Sequence, residues 1–380
     1  MSRRSSRRTI YTPQTPRLGG AVIHDYKNKR VDRMSIVERL DVAARSRPCA
    51  KLIAYFVCIT VAAIVALAFT PRGALNIAQT TLNTERMQIN GLLNLGSRQV
   101  AVGERGTILI SDDRGRTWQQ ATVEPQRQIS LTALTALNPE QLVAVGQDSL
   151  ILRSNDAGSS WQEVQFDAAA GEPLLGAWAA GGEQVVVFGS YGKFYQSENA
   201  GRSWRAVALE VDRAHLNALD GGSDGRRMLV GEQGLVMRSA DNGQHWQQLP
   251  AFYNGSLFGV VRLSAQRWVT YGMRGHVFVT DNFGEQWQAI KVGNTQPLYG
   301  HVVLPDHSGV LIVGGGSSMV RLDAQGRLIG TTRQPGLGTL TSAIVVGTDQ
   351  LLVAGERGVF QGNGNSVASL GKGEQSHEVR

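Results

Sequence analysis

Cysteine is almost missing from this chain: Cys49 and Cys58 are the two among 380 residues, and both precede its repetitive part. No disulfide framework staples the fold, and thiol usage assigns no redox compartment. Metal-ligand spacings are missing too. His215, His245, His276, His301 and His307 stand apart, with no His-x-His or cysteine pair among them, so no metal or cofactor is expected. Gly316 and Ser317 lack the closing glycine of a nucleophile elbow. Positive charge is scarce outside one end. Residues 1–51 hold 13 Lys and Arg against 4 Asp and Glu, whereas the remainder holds 25 against 27. The bulk of the chain is near neutral and carries no basic nucleic-acid footprint.

Repetition is what the chain does contain. Residues 99–123 read QVAVGERGTILISDDRGRTWQQATV, a strand ending in Val-Gly, a tight turn, a second strand, and then Ser111-x-Asp113-x-Gly115-x-x-Trp118. The eight-residue pattern returns as Ser154, Asp156, Gly158 and Trp161; as Ser197, Asn199, Gly201 and Trp204; as Ser239, Asp241, Gly243 and Trp246; and as Thr280, Asn282, Gly284 and Trp287. The glycine closing the preceding strand persists where the rest decays, at Gly103, Gly146, Gly189, Gly231, Gly272, Gly314 and Gly355, with spacings of 43, 43, 42, 41, 42 and 41. A period of this size in a strand-rich chain predicts an all-β, seven-bladed β-propeller of four-stranded blades. The second repeat supplies strands at 131–137, 141–145, 150–153 and 161–166.

The chain divides accordingly. Residues 1–50 form a basic tail, largely disordered by composition, with helical spacing of Ile36, Leu40 and Ala43 near its end. Residues 51–70 enclose an uncharged run, 52–69, which at 1.5 Å per residue is about 27 Å long and predicts an uncleaved transmembrane helix. The positive tail puts the N-terminus in the cytoplasm and the propeller beyond the inner membrane, in the periplasm. Residues 71–84 are a linker, and the segment near Ile77 is expected to complete the last blade, because the seventh repeat has three good strands and only 366–370 as a poor fourth. The propeller covers 85–370 and a polar tail 371–380. The sixth repeat has Leu322, Ala324, Gly326 and Ile329 in the motif positions.

The repeated motif is the Asp-box, the bacterial neuraminidase repeat. Its Asp or Asn accepts backbone amides of the hairpin, its Ser or Thr bonds nearby backbone, its Gly takes a positive φ, and its Trp packs beneath. Five equivalent copies at a rim cannot converge on one reaction, so these residues are read as structural. Seven such repeats over 88–370 resemble the photosystem II stability/assembly factor family of seven-bladed propellers, some of whose bacterial relatives accompany transporters of the resistance-nodulation-division type. That resemblance implies a non-enzymatic, extracytoplasmic assembly or accessory factor for an integral membrane complex. The long basic tail and the anchor depart from that family's exported members. Sialidases share only the box. No Arg-Ile-Pro occurs here, and no carboxylate pair stands out for glycoside hydrolysis. A glycan- or envelope-polymer-binding protein is the alternative reading.

The turns between second and third strands share one end with the inter-blade loops. They collect Arg105, Tyr191, Arg274 and Arg357 with Arg127, Arg213 and Tyr253, residue types that dominate binding surfaces, into an expected docking face for acidic loops of a membrane partner. Asp241→Ala is expected to lower the melting temperature and to leave partner binding intact below it. Lost binding by a fully folded variant would overturn the structural role of the box.

Overall fold

A computed structural model of the chain describes residues 48–69, 83–169, 171–348 and 350–363. The chain divides into two units, Met1–Asn76 and Ile77–Arg380. In the first, Pro48–Phe69 is helical, and the side chains described in it, 52–65, are all exposed. Among the described residues no helix is long and apolar enough to cross a membrane. The basic tail to residue 47, Ile77, and the C-terminal segments 366–370 and 371–380 lie outside the described residues.

The second unit is seven antiparallel sheets in chain order. The first consists of Ile89–Asn94, Gln99–Gly103, Ile108–Ser111 and Gln119–Gln120, from innermost to outermost. The last has three described strands, Leu340–Val345, Gln350–Gly355 and Gly358–Asn363. The second blade gains a fifth, Thr122–Glu124, parallel to Ser160–Gln165. Each innermost strand packs on the next, and the seventh packs on the first, so the ring is closed around a central channel. Blades 7 and 1 are tied by the Thr341 hydroxyl donating to Ile89 O at 2.7 Å, Asn94 Nδ2 to Val345 O at 2.6 Å, and Leu92 N–H to the Ser342 hydroxyl at 3.1 Å. Apolar side chains of neighbouring blades interleave, as in the cluster of Ile89, Leu109, Trp118, Ile344 and Leu352 that seals this junction. Near the same junction, residues 83–86 lie beside the edge of blade 7, where Arg86 N–H donates to Arg357 O at 3.4 Å.

Every glycine of the long period ends a second strand and pairs with a fully buried residue: Ile89 opposite Gly103, Leu131 opposite Gly146, Leu257 opposite Gly272. Its φ is extended, near −160° at Gly103, so backbone freedom is not the reason for glycine. The reason is contact. A β-carbon on Gly103 would lie 2.2 Å from Gln88 O, on Gly189 2.3 Å from Pro173 O, on Gly272 2.2 Å from Ser256 O, and on Gly355 1.9 Å from Thr339 O. The same carbonyls accept the N–H of the following residue, Glu104 at 3.1 Å, Ser190 at 3.0 Å, Met273 at 3.0 Å and Glu356 at 2.9 Å. A bulge then follows on each innermost strand, as at Asn90, and the residue after it is small in all seven blades: Gly91, Ala133, Gly176, Ala218, Gly259, Gly300 and Ser342.

The box hairpins close the other ends of the blades. The Ser239 hydroxyl donates to Asp241 Oδ1 at 2.8 Å and accepts Gly243 N–H at 2.8 Å, while Asp241 accepts His245 N–H at 2.9 Å. Ser111, Ser154, Ser197 and Thr280 accept the N–H of Gly115, Gly158, Gly201 and Gly284 in the same way. Trp118 and Trp161 are buried and donate to Gly115 O and Gly158 O. In the sixth blade Asp323 takes the aspartate's part, accepting Arg327 N–H at 2.8 Å, one residue before the position the spacing assigns.

Gly272→Ala is expected to destabilise the propeller by roughly 2–3 kcal/mol, since main chain must move to admit the methyl group. Gly293→Ala, at an open site with φ +65°, should lose only about 1 kcal/mol. Chemical denaturation of the two variants compares them; an equally small loss at Gly272 would show that the carbonyl contact does not select glycine.

Candidate functional site

In six of the seven blades, the turn between the second and third strands carries a left-handed residue at its tip. Arg105 has φ 53°, Asp148 55°, Tyr191 54°, Gln233 53°, Arg274 57° and Gly316 59°. Glycine meets this conformation without strain and does so only in blade 6; in the other five the tip holds a larger side chain at about 1 kcal/mol of backbone strain each. Arg105, Tyr191, Gln233 and Arg274 are exposed. Among the described residues Arg105 and Arg274 make no hydrogen bond or ion pair.

The acidic neighbours of these turns are held by the backbone. Glu104 accepts Gln88 N–H at 3.5 Å, Glu232 accepts His215 N–H at 3.2 Å, and Glu356 accepts Thr339 N–H at 3.0 Å. Each glutamate therefore caps the start of its own blade's innermost strand and is turned from the residue that follows it. Around the rim the expected residues fall into separate groups. The Arg213 guanidinium sits over the Tyr191 ring, 5.3 Å from its centroid, and Tyr191 meets His215 edge-on at 4.8 Å. Tyr253 packs against His276 and Phe278 and donates to Met273 O at 3.4 Å. Burial raises the Tyr253 phenol above its ordinary range and the nearby Arg274 charge opposes that shift. Arg357 donates to Gly336 O at 3.1 Å. Arg127 is engaged differently: it forms an ion pair with Glu163, with Nη2 at 2.9 Å, and stacks on Phe166 at 4.0 Å.

The boxes at the opposite end are electrostatically satisfied. Partial burial pushes Asp113 and Asp156 up, but hydrogen bonds from Thr117, Ser111 and Arg116 to the first, and from Ser160 and Ser154 to the second, hold both below the usual carboxylate range. At Asp241 the His245 backbone N–H is the largest cause of a strong depression. None of these carboxylates has the raised affinity for protons that a general acid needs.

Sequence reasoning missed a buried polar line across blades 4, 5 and 6. Asp220 accepts Arg262 N–H at 2.7 Å and Gly221 N–H at 2.7 Å, and also bonds to the Trp178 ring nitrogen. Burial nonetheless pushes its carboxyl up. The Tyr271 hydroxyl and His301 Nδ1 are 2.6 Å apart; burial lowers the imidazole to about 4, and burial, then the charge of Asp220, raises the phenol. The available signal was departure from the repeat: His301 occupies an innermost-strand position that holds Leu92, Leu134, Ala177, Leu219, Val260 and Ala343 in the other blades.

Among the described residues no cluster of His, Cys, Asp and Glu could hold a metal ion. The family model for photosynthesis system II assembly factor YCF48 matches residues 77–359. Of solved structures, YCF48 from Cyanidioschyzon merolae is similar at 16% identity, covering 75% of this chain and 98% of that one, with a TM-score of 0.61. YCF48 bound to D1 peptide is similar at 16% identity over 74% and 94%, with a TM-score of 0.60. The WD40 β-propeller domain of Doa1 is similar at 12% identity over 74% and 94%, with a TM-score of 0.60. No curated protein matches. At these identities the structural likeness shows the fold.

Because His301 has its folded pKa below the unfolded value of about 6.5, the unfolded chain takes up a proton first as pH falls. Stability is full above pH 6.5 and should be lost between about pH 6.5 and 4, by on the order of 2 kcal/mol once the partial exposure of His301 is discounted. The box aspartates, with depressed pKa values, add a separate loss below about pH 4. Melting temperatures of wild type and His301→Gln across pH 7.5 to 4 measure this; the upper limb should vanish in the variant, and an unchanged limb would acquit His301.

Proposed function

From the chain's membership of the photosynthesis system II assembly factor YCF48 family, which the match over residues 77–359 shows, we propose that it is a non-catalytic assembly or accessory factor for an integral membrane complex. The turn face is its working surface. The observation that carries this reading is the occupancy of the left-handed tips: arginine stands at Arg105 and Arg274 where glycine would relieve strain, and neither side chain is engaged within the fold among the described residues. Side chains held at strained, exposed positions and left without partners inside the fold are placed to meet a ligand. Arg105, Arg274 and Arg357, with Tyr191, Arg213 and Tyr253, would receive acidic loops of the partner, while Arg127 rests on Glu163 and Phe166 and contributes shape. The D1 peptide seen on YCF48 makes a protein segment the natural class of ligand.

The partner we favour is a transporter of the resistance-nodulation-division type, and the location a single-pass anchor in the inner membrane with the N-terminus in the cytoplasm and the propeller in the periplasm. Support for the anchor is the uncharged sequence run 52–69 behind a strongly basic tail, together with the exposed Leu52, Ile53, Phe56 and Ile59.

Reversal of Arg105, Arg274 and Arg357 to glutamate in the full-length chain, followed by pull-down from detergent extract, tests the face. Recovery of the integral membrane partner should fall at least about tenfold, ~1.4 kcal/mol. Unchanged recovery, with the melting temperature preserved, would overturn it.

A further inference from the structure

The bulge residues of the innermost strands ring the channel mouth on the turn face. Four of them are polar and bond to the next blade: Asn90 donates to Leu131 O at 2.7 Å, Thr132 to Leu174 O at 2.6 Å, Asn217 to Leu257 O at 2.8 Å, and Thr341 to Ile89 O. The remaining three are Leu175, Phe258 and Tyr299, and they make no such bond. Blades 5 and 6 therefore replace two structural hydrogen bonds with an aromatic pair, Phe258 stacked on Tyr299 at 5.3 Å. Tyr299 is 38% exposed, unusual for a large side chain on an innermost strand.

The pair does not stand alone. Strand Leu298–Val303 packs on the turn Met273–Gly275, whose Met273 is 36% exposed and whose Arg274 is unpaired among the described residues. Tyr253 reaches the same turn through Met273 O. Apolar surface of this kind, rimmed by a cation and a phenol, has the anatomy of an interface centre: an aromatic and methionine floor, a charged edge, and little competing structure.

We propose that this blade 5–6 sector is the anchor seat of the docking face, and that it takes a large apolar or aromatic side chain of an extended partner segment flanked by an acidic residue that reaches Arg274. The inference deepens the docking role proposed above and rests on it. Charge complementarity selects the occupant. The glutamates near the face are bound to backbone amides, so the free guanidinium of Arg274 calls for a carboxylate from outside, while Phe258, Tyr299 and Met273 give the apolar neighbour somewhere to be buried. Arg274 is exposed on the turn against which strand Leu298–Val303 packs, so one short extended segment can offer an apolar residue to Tyr299 and a carboxylate to Arg274.

Selection of a random-peptide display library on the immobilised full-length chain tests the seat whatever the identity of the partner. Enriched peptides should pair Phe, Tyr, Trp, Leu or Met with a nearby Asp or Glu. Tyr299→Ser should weaken a selected peptide about tenfold and abolish the apolar preference while the acidic one persists; Arg274→Glu should abolish the acidic preference and keep the apolar one. Acidic enrichment with no apolar preference, or an apolar preference untouched by Tyr299→Ser, would overturn the anchor seat and leave the face intact. Enrichment indifferent to Arg105, Arg274 and Arg357 together would overturn both. Thermal melts of Tyr299→Ser and Phe258→Leu ensure that lost binding is read from folded protein.

Discussion

Seven backbone carbonyls, each lying where a β-carbon would stand on the glycine that ends a second strand, set the geometry on which the rest of this propeller depends. At 1.9 to 2.4 Å from that absent atom, they leave no room for any other residue. The same carbonyl accepts the next N–H, so the chain entering a blade is clamped to the first turn of that blade. That clamp fixes where the turn begins and therefore where its tip residue points. The small residue after each bulge lets neighbouring strands or side chains approach where bulk would clash: the Phe188 ring crosses Gly176, the Tyr271 ring crosses Gly259, and Thr341 O meets Gly300. Closure of the ring and display of the tips follow from one arrangement of main chain.

Contacts between blades at the box end are of a different kind. Arg153 donates to Ala200 O, Arg238 to Phe283 O, and Gln361 to Arg114 O, each reaching the left-handed residue in the box hairpin of the next blade. Carboxylates there are engaged as well: Asp112 by Arg98, Asp224 by Arg262, Asp281 by Arg267 and Asp323 by Arg327. A surface whose charges are mutually satisfied has less to offer a partner, since each pair must be broken or left half-desolvated on binding. The box end stabilises the ring, and the turn end is left to recognise.

The glycine period and the five boxes were legible because both arise from contacts made within one repeat, between residues at most a few tens of positions apart. Blade number and the all-β class follow from that locality. What the sequence concealed depends on neighbours around the ring. Asp323 supplies the sixth hairpin from a shifted position, because a one-residue register change in the strand pair Ser318–Asp323 and Leu328–Arg333 restores its geometry without the motif. Asp220, Tyr271 and His301 belong to three consecutive blades, and only the packing of neighbouring blades makes them a line. The docking residues were legible as a set of turn positions but not as partners of one another: Arg213 over Tyr191 and Arg127 on Phe166 join loops about twenty to forty positions apart.

The near-neutral balance of the propeller conceals an asymmetry that composition cannot reveal. Arg105 and Arg357 each follow a glutamate directly, and simple counting would pair Arg105 with Glu104 and Arg357 with Glu356. The backbone prevents it: the glutamate that opens the turn is drawn back to an amide of its own blade, and at Arg105 the left-handed tip leaves the arginine exposed. Opposite charges one residue apart are thereby directed to different places, the carboxylate to structure and the guanidinium to the rim. At the second position of the seven turns stand three arginines and one acid, Asp148; the glutamates before them keep their charge but are held on amides, so what the turns extend toward a partner is mainly cationic.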